Sequence, residues 1–182
     1  MTVIVVTGIP GVGKTTVMKK AAKGINIEFV TFGTIMEEIA KEMKLVKDRD
    51  EMRKLSLDQQ KKLQIKSAEK VAKMGNIILD THCTIKTPKG YMPGLPEWVV
   101  KRINPIAIVI VEANPEEIYN RRANDPSRMR DPDTKEQIDE HQQINRATAM
   151  AYAALTGATV KIVFNHDNKL DDAVKQASPV LK

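Results

Sequence analysis

Five short apolar runs recur along the chain: Val3 to Thr7 (VIVVT), Ile27 to Phe32 (IEFVTF), Asn76 to Thr81 (NIILDT), Ile106 to Val111 (IAIVIV) and Thr159 to Phe164 (TVKIVF). Each is rich in Val and Ile, alternates little and is bounded by turn residues. Each therefore reads as a strand buried on both faces. Longer amphipathic stretches lie between them and read as helices: Lys14 to Lys23, Thr34 to Met43, Ser56 to Met74, Pro115 to Ala123, Thr134 to Leu155 and Lys169 to Gln176. Leu57, Leu63, Ala68 and Val71 fall near helical spacing in the third of these, with Gly75 as its stop, and Gly157 stops the fifth. Pro115 takes a first helical position after Asn114. Strands alternating with helices predict an α/β fold: a five-stranded parallel sheet with helices on both faces.

Two segments break the alternation. Lys86 to Pro96 (KTPKGYMPGLP) holds three prolines and two glycines, and Asn124 to Asp133 (NDPSRMRDPD) holds two prolines within a cluster of charge. Both follow a strand, directly or after one helix, on the edge where open α/β sheets gather their binding loops. They are the candidate substrate loops.

At 182 residues the chain fits one domain with a proper core, and its 42% hydrophobic and 29% charged residues are ordinary for a globular protein. No apolar run is long enough to cross a bilayer, and Met1 to Val6 is too short and uncharged for a signal peptide, so a cytoplasmic location is expected. The one cysteine, Cys83, excludes an internal disulfide and reads as a buried small hydrophobe rather than a reactive thiol. The net charge of +6 favours anionic ligands. Most lysines are interleaved with glutamates on helical stretches, the pattern of a solvated face, so no nucleic-acid partner is expected.

The chemistry starts at Gly8-Ile9-Pro10-Gly11-Val12-Gly13-Lys14-Thr15, which matches G-x-x-x-x-G-K-[ST] between a strand and a helix. Such glycines let backbone N–H groups point inward at phosphate oxygens, and the following helix adds its positive end. Lys14 would reach the β- and γ-phosphates, and Thr15 would place its hydroxyl on Mg²⁺. Asp80 ends the neighbouring apolar run and supplies a carboxylate to the same ion; a turn-capping Asp is the alternative. His82 stands either at that site or in a polar turn.

Arg121, Arg122, Arg128 and Arg130 fall within ten residues, with Arg146 on the next helix. Planar guanidinium forks suit the charge that phosphoryl transfer spreads over oxygens. The bland reading is a surface loop with salt bridges to Asp125, Asp131 and Asp133. Arg49 and Arg53, four apart, would share a helix face, or pair with Asp48 or Glu51. Asn168-Lys169-Leu170-Asp171 matches the guanine-reading N-K-x-D of GTPases, but the chain lacks the companion D-x-x-G signal, and the segment reads as the cap of the last helix.

Taken together, VTGIPGVGKTT, FGTIM, RDEMRKL, LDTHCTIKTPKGYMPGLP, NRRANDPSRMRD and NRATAMAYAALTGATVKI resemble the archaeal-type adenylate kinases over nearly the whole chain. The resemblance implies a P-loop kinase fold and the reaction ATP + AMP ⇌ 2 ADP with Mg²⁺. It assigns ATP contacts to Gly8, Ile9, Pro10, Gly11, Val12, Gly13, Lys14, Thr15 and Thr16. Thr34 and Arg53 become AMP ligands, Arg128 and Arg130 lid arginines, and Arg146 a phosphate-facing arginine behind the lid. Within a single domain of residues 1–182 it implies an AMP region at about 33–74 and a short lid at about 122–133. It also implies a homotrimer. Glu37 stands near the place where the better-known bacterial enzymes carry an arginine, and the long lid of those enzymes is absent. A kinase for another nucleoside monophosphate or small metabolite, a P-loop ATPase acting on RNA or protein, and a non-catalytic nucleotide-binding module are the competing readings. The 4% aromatic content leaves few stacking platforms for RNA.

Overall fold

The computed structural model describes residues 2–48, 50–124 and 133–182; the side chains of Asp50 and Arg53 lie outside it. Five strands form one parallel sheet: β1 (Val3–Thr7), β2 (Glu28–Thr31), β3 (Ile77–Asp80), β6 (Ala107–Glu112) and β7 (Thr159–Phe164), in the order β2-β3-β1-β6-β7. All five expected strands are present. The chain leaves β1 toward β2 on one side, then crosses after β3 to β6 on the other. The order therefore reverses at β1, and the crevice that forms at such a point in an open sheet lies at the carboxyl ends of the strands.

Alternate residues of the central strands feed two apolar layers. Val3, Val5, Ile77, Leu79, Ile108 and Ile110 face α2 (Phe32–Glu42), α3 (Leu57–Val71) and α4 (Glu97–Ile103). Ile4, Val6, Ile78, Val109 and Val111 face α1 (Lys14–Ala21), α5 (Pro115–Ala123) and α7 (Leu170–Ala177). The long α6 (Lys135–Thr156) joins both layers, with Ile138 in the second and Ala149 and Tyr152 in the first. Burial on both faces explains the unbroken apolar runs of β1, β3 and β6. The expectation fails at the two edge strands: β2 is only half-buried with Glu28 exposed, and β7 exposes Thr159, Lys161 and Phe164, because each has a neighbouring strand on one side only.

Local chemistry sets the helix ends. Ser56, Asn114 and Thr134 each form a capping box, with Gln59, Glu117 and Gln137 as the reciprocal partners. Gly157 ends α6 in the left-handed conformation, as expected. α3 stops at Val71 rather than near Gly75, because Ala72 already turns the chain. Phe32 opens α2 instead of closing β2: Thr31 is the last extended residue, and the buried Phe32 ring packs into the first apolar layer. Lys169, without a side-chain bond, is the N-cap of α7; Asn168 precedes it with φ 60°. The expected cap is therefore made by backbone alone.

The segment read as an irregular loop is ordered. Thr84–Thr87 (β4) and Gly90–Pro93 (β5) form an antiparallel hairpin, and α4 follows it. Two four-residue strands paired only with each other, flanked by prolines, carry no periodic signal, and a seven-residue helix carries little more. Gly94 closes the hairpin by approaching the chain before β4: its N–H donates to the Cys83 carbonyl at 2.7 Å, and a Cβ there would sit 1.9 Å from the His82 carbonyl oxygen. The rigid partner atoms leave no room for any side chain. Gly94→Ala is expected to displace the hairpin and lower the thermal midpoint by several degrees, at a cost of about 1–3 kcal/mol; calorimetry of the two proteins checks it.

Candidate active site

The loop Gly8 to Gly13 joins β1 to α1 at the sheet's reversal point. Its glycines hold φ of 152° (Gly8), 94° (Gly11) and 78° (Gly13), conformations that side-chain-bearing residues resist. Gly8 also passes so close to β6 that a Cβ would lie 2.4 Å from the Val111 carbonyl oxygen. Ile9 and Val12 turn their side chains into the core, which leaves their backbone for the loop's interior. Thr16 is exposed in the first turn of α1.

Asp80 is the point on which the loop converges. Lys14 Nζ lies 3.4 Å from its Oδ1, and Thr15 Oγ1 donates to its Oδ2 at 3.3 Å. The β1–β3 register pairs Val6 with Asp80, which sets this carboxylate beside the loop. An ammonium, a hydroxyl and a carboxylate thus meet at the positive end of α1. Thr15 and Asp80 offer oxygen donors of the kind that hold hydrated Mg²⁺ on a nucleotide.

Two further residues complete the cradle: Asn165, given no role from sequence, and Arg122, a member of the arginine cluster. Asn165, just beyond β7, donates from Nδ2 to the Val12 carbonyl at 2.8 Å; a Cβ on Gly13 would come within 2.6 Å of that nitrogen. Arg122 at the end of α5 donates from Nε to the Pro10 carbonyl at 2.8 Å and from Nη1 to Asp133 Oδ2 at 2.8 Å. Lys86 of the hairpin also reaches Asp133, at 2.7 Å. Despite the burial that opposes ionisation, hydrogen bonds from Lys86 and Arg122 hold the Asp133 carboxyl below its usual range. A strand end facing the loop was the available signal for Asn165, and membership of the arginine cluster already singled out was the signal for Arg122.

The other arginines divide. Arg121 pairs with Asp167 and donates to the Asn165 carbonyl, a structural tie between α5 and the chain after β7. Arg146 pairs with Glu112 at the end of β6, on the same edge as the loop. Arg128 and Arg130 lie outside the described residues, as do Arg49 and the Arg53 side chain; the Arg53 backbone belongs to a 3-10 turn, Asp50–Lys54. Glu51 accepts from the Lys47 N–H. Thr34 is exposed in the first turn of α2, beside the carboxyl end of β2. Glu37 pairs with Lys41 at 2.6 Å.

Under the hairpin lies a buried polar cluster. Thr84 Oγ1 donates to Asn145 Oδ1 at 2.6 Å and lies 3.0 Å from His141 Nε2, so that nitrogen carries the proton and donates to Thr84. Tyr152 donates from its hydroxyl to the Cys83 carbonyl at 2.8 Å. Burial pushes the Cys83 thiol up to about 12, which makes it the inert residue expected from sequence. His82 is exposed.

A family model described as an AAA domain matches residues 7–139. Curated relatives span essentially the whole chain. Adenylate kinase of Methanopyrus kandleri is 54% identical, covering 96% of this chain and 94% of its own. The chain belongs to the adenylate kinase family. The adenylate kinase of Methanocaldococcus jannaschii is 52% identical over 99% of this chain and 98% of its own, and that of Thermoplasma acidophilum 51% over 97% of each. Among solved structures, a shikimate kinase from Bacteroides thetaiotaomicron aligns over 99% of this chain and 98% of its own at a TM-score of 0.63 and 14% identity. A sugar kinase from Janibacter aligns over 100% and 98% at 0.58 and 15%. Those two share the expected P-loop kinase fold.

Desolvation lowers the pKa of His141 in this adenylate kinase fold below its ordinary 6.5. The hydrogen bond with Thr84 and then the Asp133 carboxylate oppose this, while Arg122 and Lys86 reinforce it. The unfolded chain then binds the proton that the folded one refuses. Stability is full above about pH 6.5 and falls as pH drops through the window below it. Urea midpoints between pH 5.5 and 7.5 are expected to rise with pH, and His141→Gln is expected to flatten that slope.

Proposed function

We propose that the chain transfers the γ-phosphoryl group of Mg·ATP to AMP, reversibly, giving two ADP. The observation that carries this is the convergence of Lys14 and Thr15 on Asp80 at the reversal point of the sheet. It occurs in a chain half identical to curated adenylate kinases.

In this reading, backbone N–H groups of residues 8–16 hold the ATP phosphates, and Lys14 neutralises charge on the β- and γ-groups. Its 3.4 Å approach to Asp80 keeps the ammonium aimed into the loop. Thr15 and Asp80 would hold the Mg²⁺ that arrives with ATP, which would supply positive charge to offset that of the phosphates. Arg128, Arg130 and Arg146 serve the transferring group. Thr34 and Arg53 belong to the AMP side, within a region at about 33–74, and the lid spans about 122–133. Alignment of the two nucleotides and exclusion of water do the catalytic work without a covalent intermediate. The Lys86–Asp133–Arg122 chain ties the hairpin to the donor loop, which suits a site that must hold two nucleotides together. Among the described residues no helix is long and apolar enough to cross a membrane. A cytoplasmic homotrimer completes the reading, the trimer on family resemblance.

A panel of nucleoside monophosphates with ATP and Mg²⁺ tests the acceptor. AMP is expected to be phosphorylated far faster than CMP, UMP or GMP. Comparable rates with CMP or UMP, or phosphate release without an acceptor, would replace AMP as the substrate. Lys14→Met is expected to lower kcat by about 100-fold or more while the far-UV circular dichroism stays unchanged.

A further inference from the structure

A buried carboxylate grips one side of the Arg146 guanidinium. Glu112 ends β6 and is 2% exposed. Its Oε1 accepts from Arg146 Nε at 2.8 Å, and its Oε2 accepts from Nη2 at 2.5 Å. The Arg146 side chain remains 46% exposed on its other side. Among the described residues, Nη1 makes no hydrogen bond within the protein. The hydrogen bonds to Glu112 raise the arginine's pKa further, so the fork is always charged.

Glu112 is itself fixed to the phosphate loop. Thr7, the last residue of β1, registers with Ile110. The next carbonyl, that of Val111, lies against Gly8. Glu112 follows at once, and its carbonyl accepts from the N–H of Asn165 at 2.8 Å. Asn165 is the residue whose amide holds the Val12 carbonyl. A short rigid path therefore runs from the loop to the arginine.

We propose that Glu112 is a positioning residue for phosphoryl transfer: it fixes the Arg146 fork through Nε and Nη2 and presents Nη1 to the transferring phosphate. The proposal rests on the reading of Arg146 as phosphate-facing. A free arginine has many rotamers to lose, and a strand-borne anchor removes that loss before substrate arrives. The pair is no latch that substrate opens, because withdrawing Arg146 would strand a buried carboxylate without its cation. The guanidinium therefore meets phosphate while still held by Glu112. With its charge largely offset by Glu112, Arg146 acts by direction more than by net attraction. Its loss is felt in kcat and hardly in nucleotide KM.

Steady-state kinetics of the full chain with ATP, AMP and Mg²⁺ test this in Glu112→Gln, Glu112→Asp, Arg146→Met and the Glu112→Gln/Arg146→Met double variant. Glu112→Gln is expected to lower kcat about 10- to 100-fold with both KM values within about threefold. The double variant is expected to be no slower than Arg146→Met, since the two residues act as a unit. Glu112→Asp, which keeps the charge but shortens the reach, is expected to regain part of the rate. Wild-type kcat in Glu112→Gln, or losses that multiply in the double variant, would overturn the proposal while leaving Arg146 in place. Full activity of Arg146→Met would overturn the reading beneath it. Should Glu112→Gln not fold, Glu112→Asp decides: wild-type kcat there would overturn the proposal.

Discussion

The parallel register between β1 and β3 is the constraint on which the rest depends. It pairs Val6 with Asp80, and the Thr81 N–H donates to the Val6 carbonyl at 3.1 Å. Side chains alternate faces along a strand, so a slip of one residue would turn Asp80 away from Lys14 and Thr15 and send Leu79 out of its layer. The apolar layers enforce this register. Ile77 and Leu79 can only fill the layer under α2, α3 and α4, and Ile78 only the layer opposite. Hydrophobic packing thus sets a charged contact at the sheet's edge, where a salt bridge of that kind could not hold the fold by itself.

Much of the fold was legible because buried parallel strands advertise themselves as apolar runs. The phosphate loop was legible because its glycines answer a backbone demand that few sequences meet. The hairpin was not legible. Its strands pair only with each other, and its place depends on Thr84 meeting His141 and Asn145, residues 57 and 61 positions away. Asn165 and Glu112 escaped for a related reason: each is an ordinary polar residue at a strand end, and only the sheet's order brings it against the loop. Arg122 illustrates the limit within a recognised motif. The cluster was visible, but which arginine rests on Pro10 is decided by where α5 ends.

Polar groups beyond Asp80 divide into two kinds. Some are fixed by backbone partners, such as Gln142, whose side-chain amide exchanges bonds with both backbone groups of Ala113. Others form chains from one element to the next, such as Lys86 to Asp133 to Arg122 to Pro10. The first kind locks the long helix against the sheet. The second runs across the mouth of the crevice, from the hairpin to the donor loop, where its members remain partly open to water and to ions.

All the strand-to-helix connections with chemistry lie at one end of the sheet; the helix-to-strand returns lie at the other. Gly24, Gly75 and Gly157 sit in three of those returns, each with open space where a side chain would stand, and Asn104 turns the fourth in the left-handed conformation. Among the described residues, no hydrogen bond or ion pair joins those returns to the phosphate loop. The molecule therefore has a working end and a handling end. A tag, an inserted peptide or a surface tether belongs at the returns, where a longer path costs little loop entropy and leaves the crevice undisturbed.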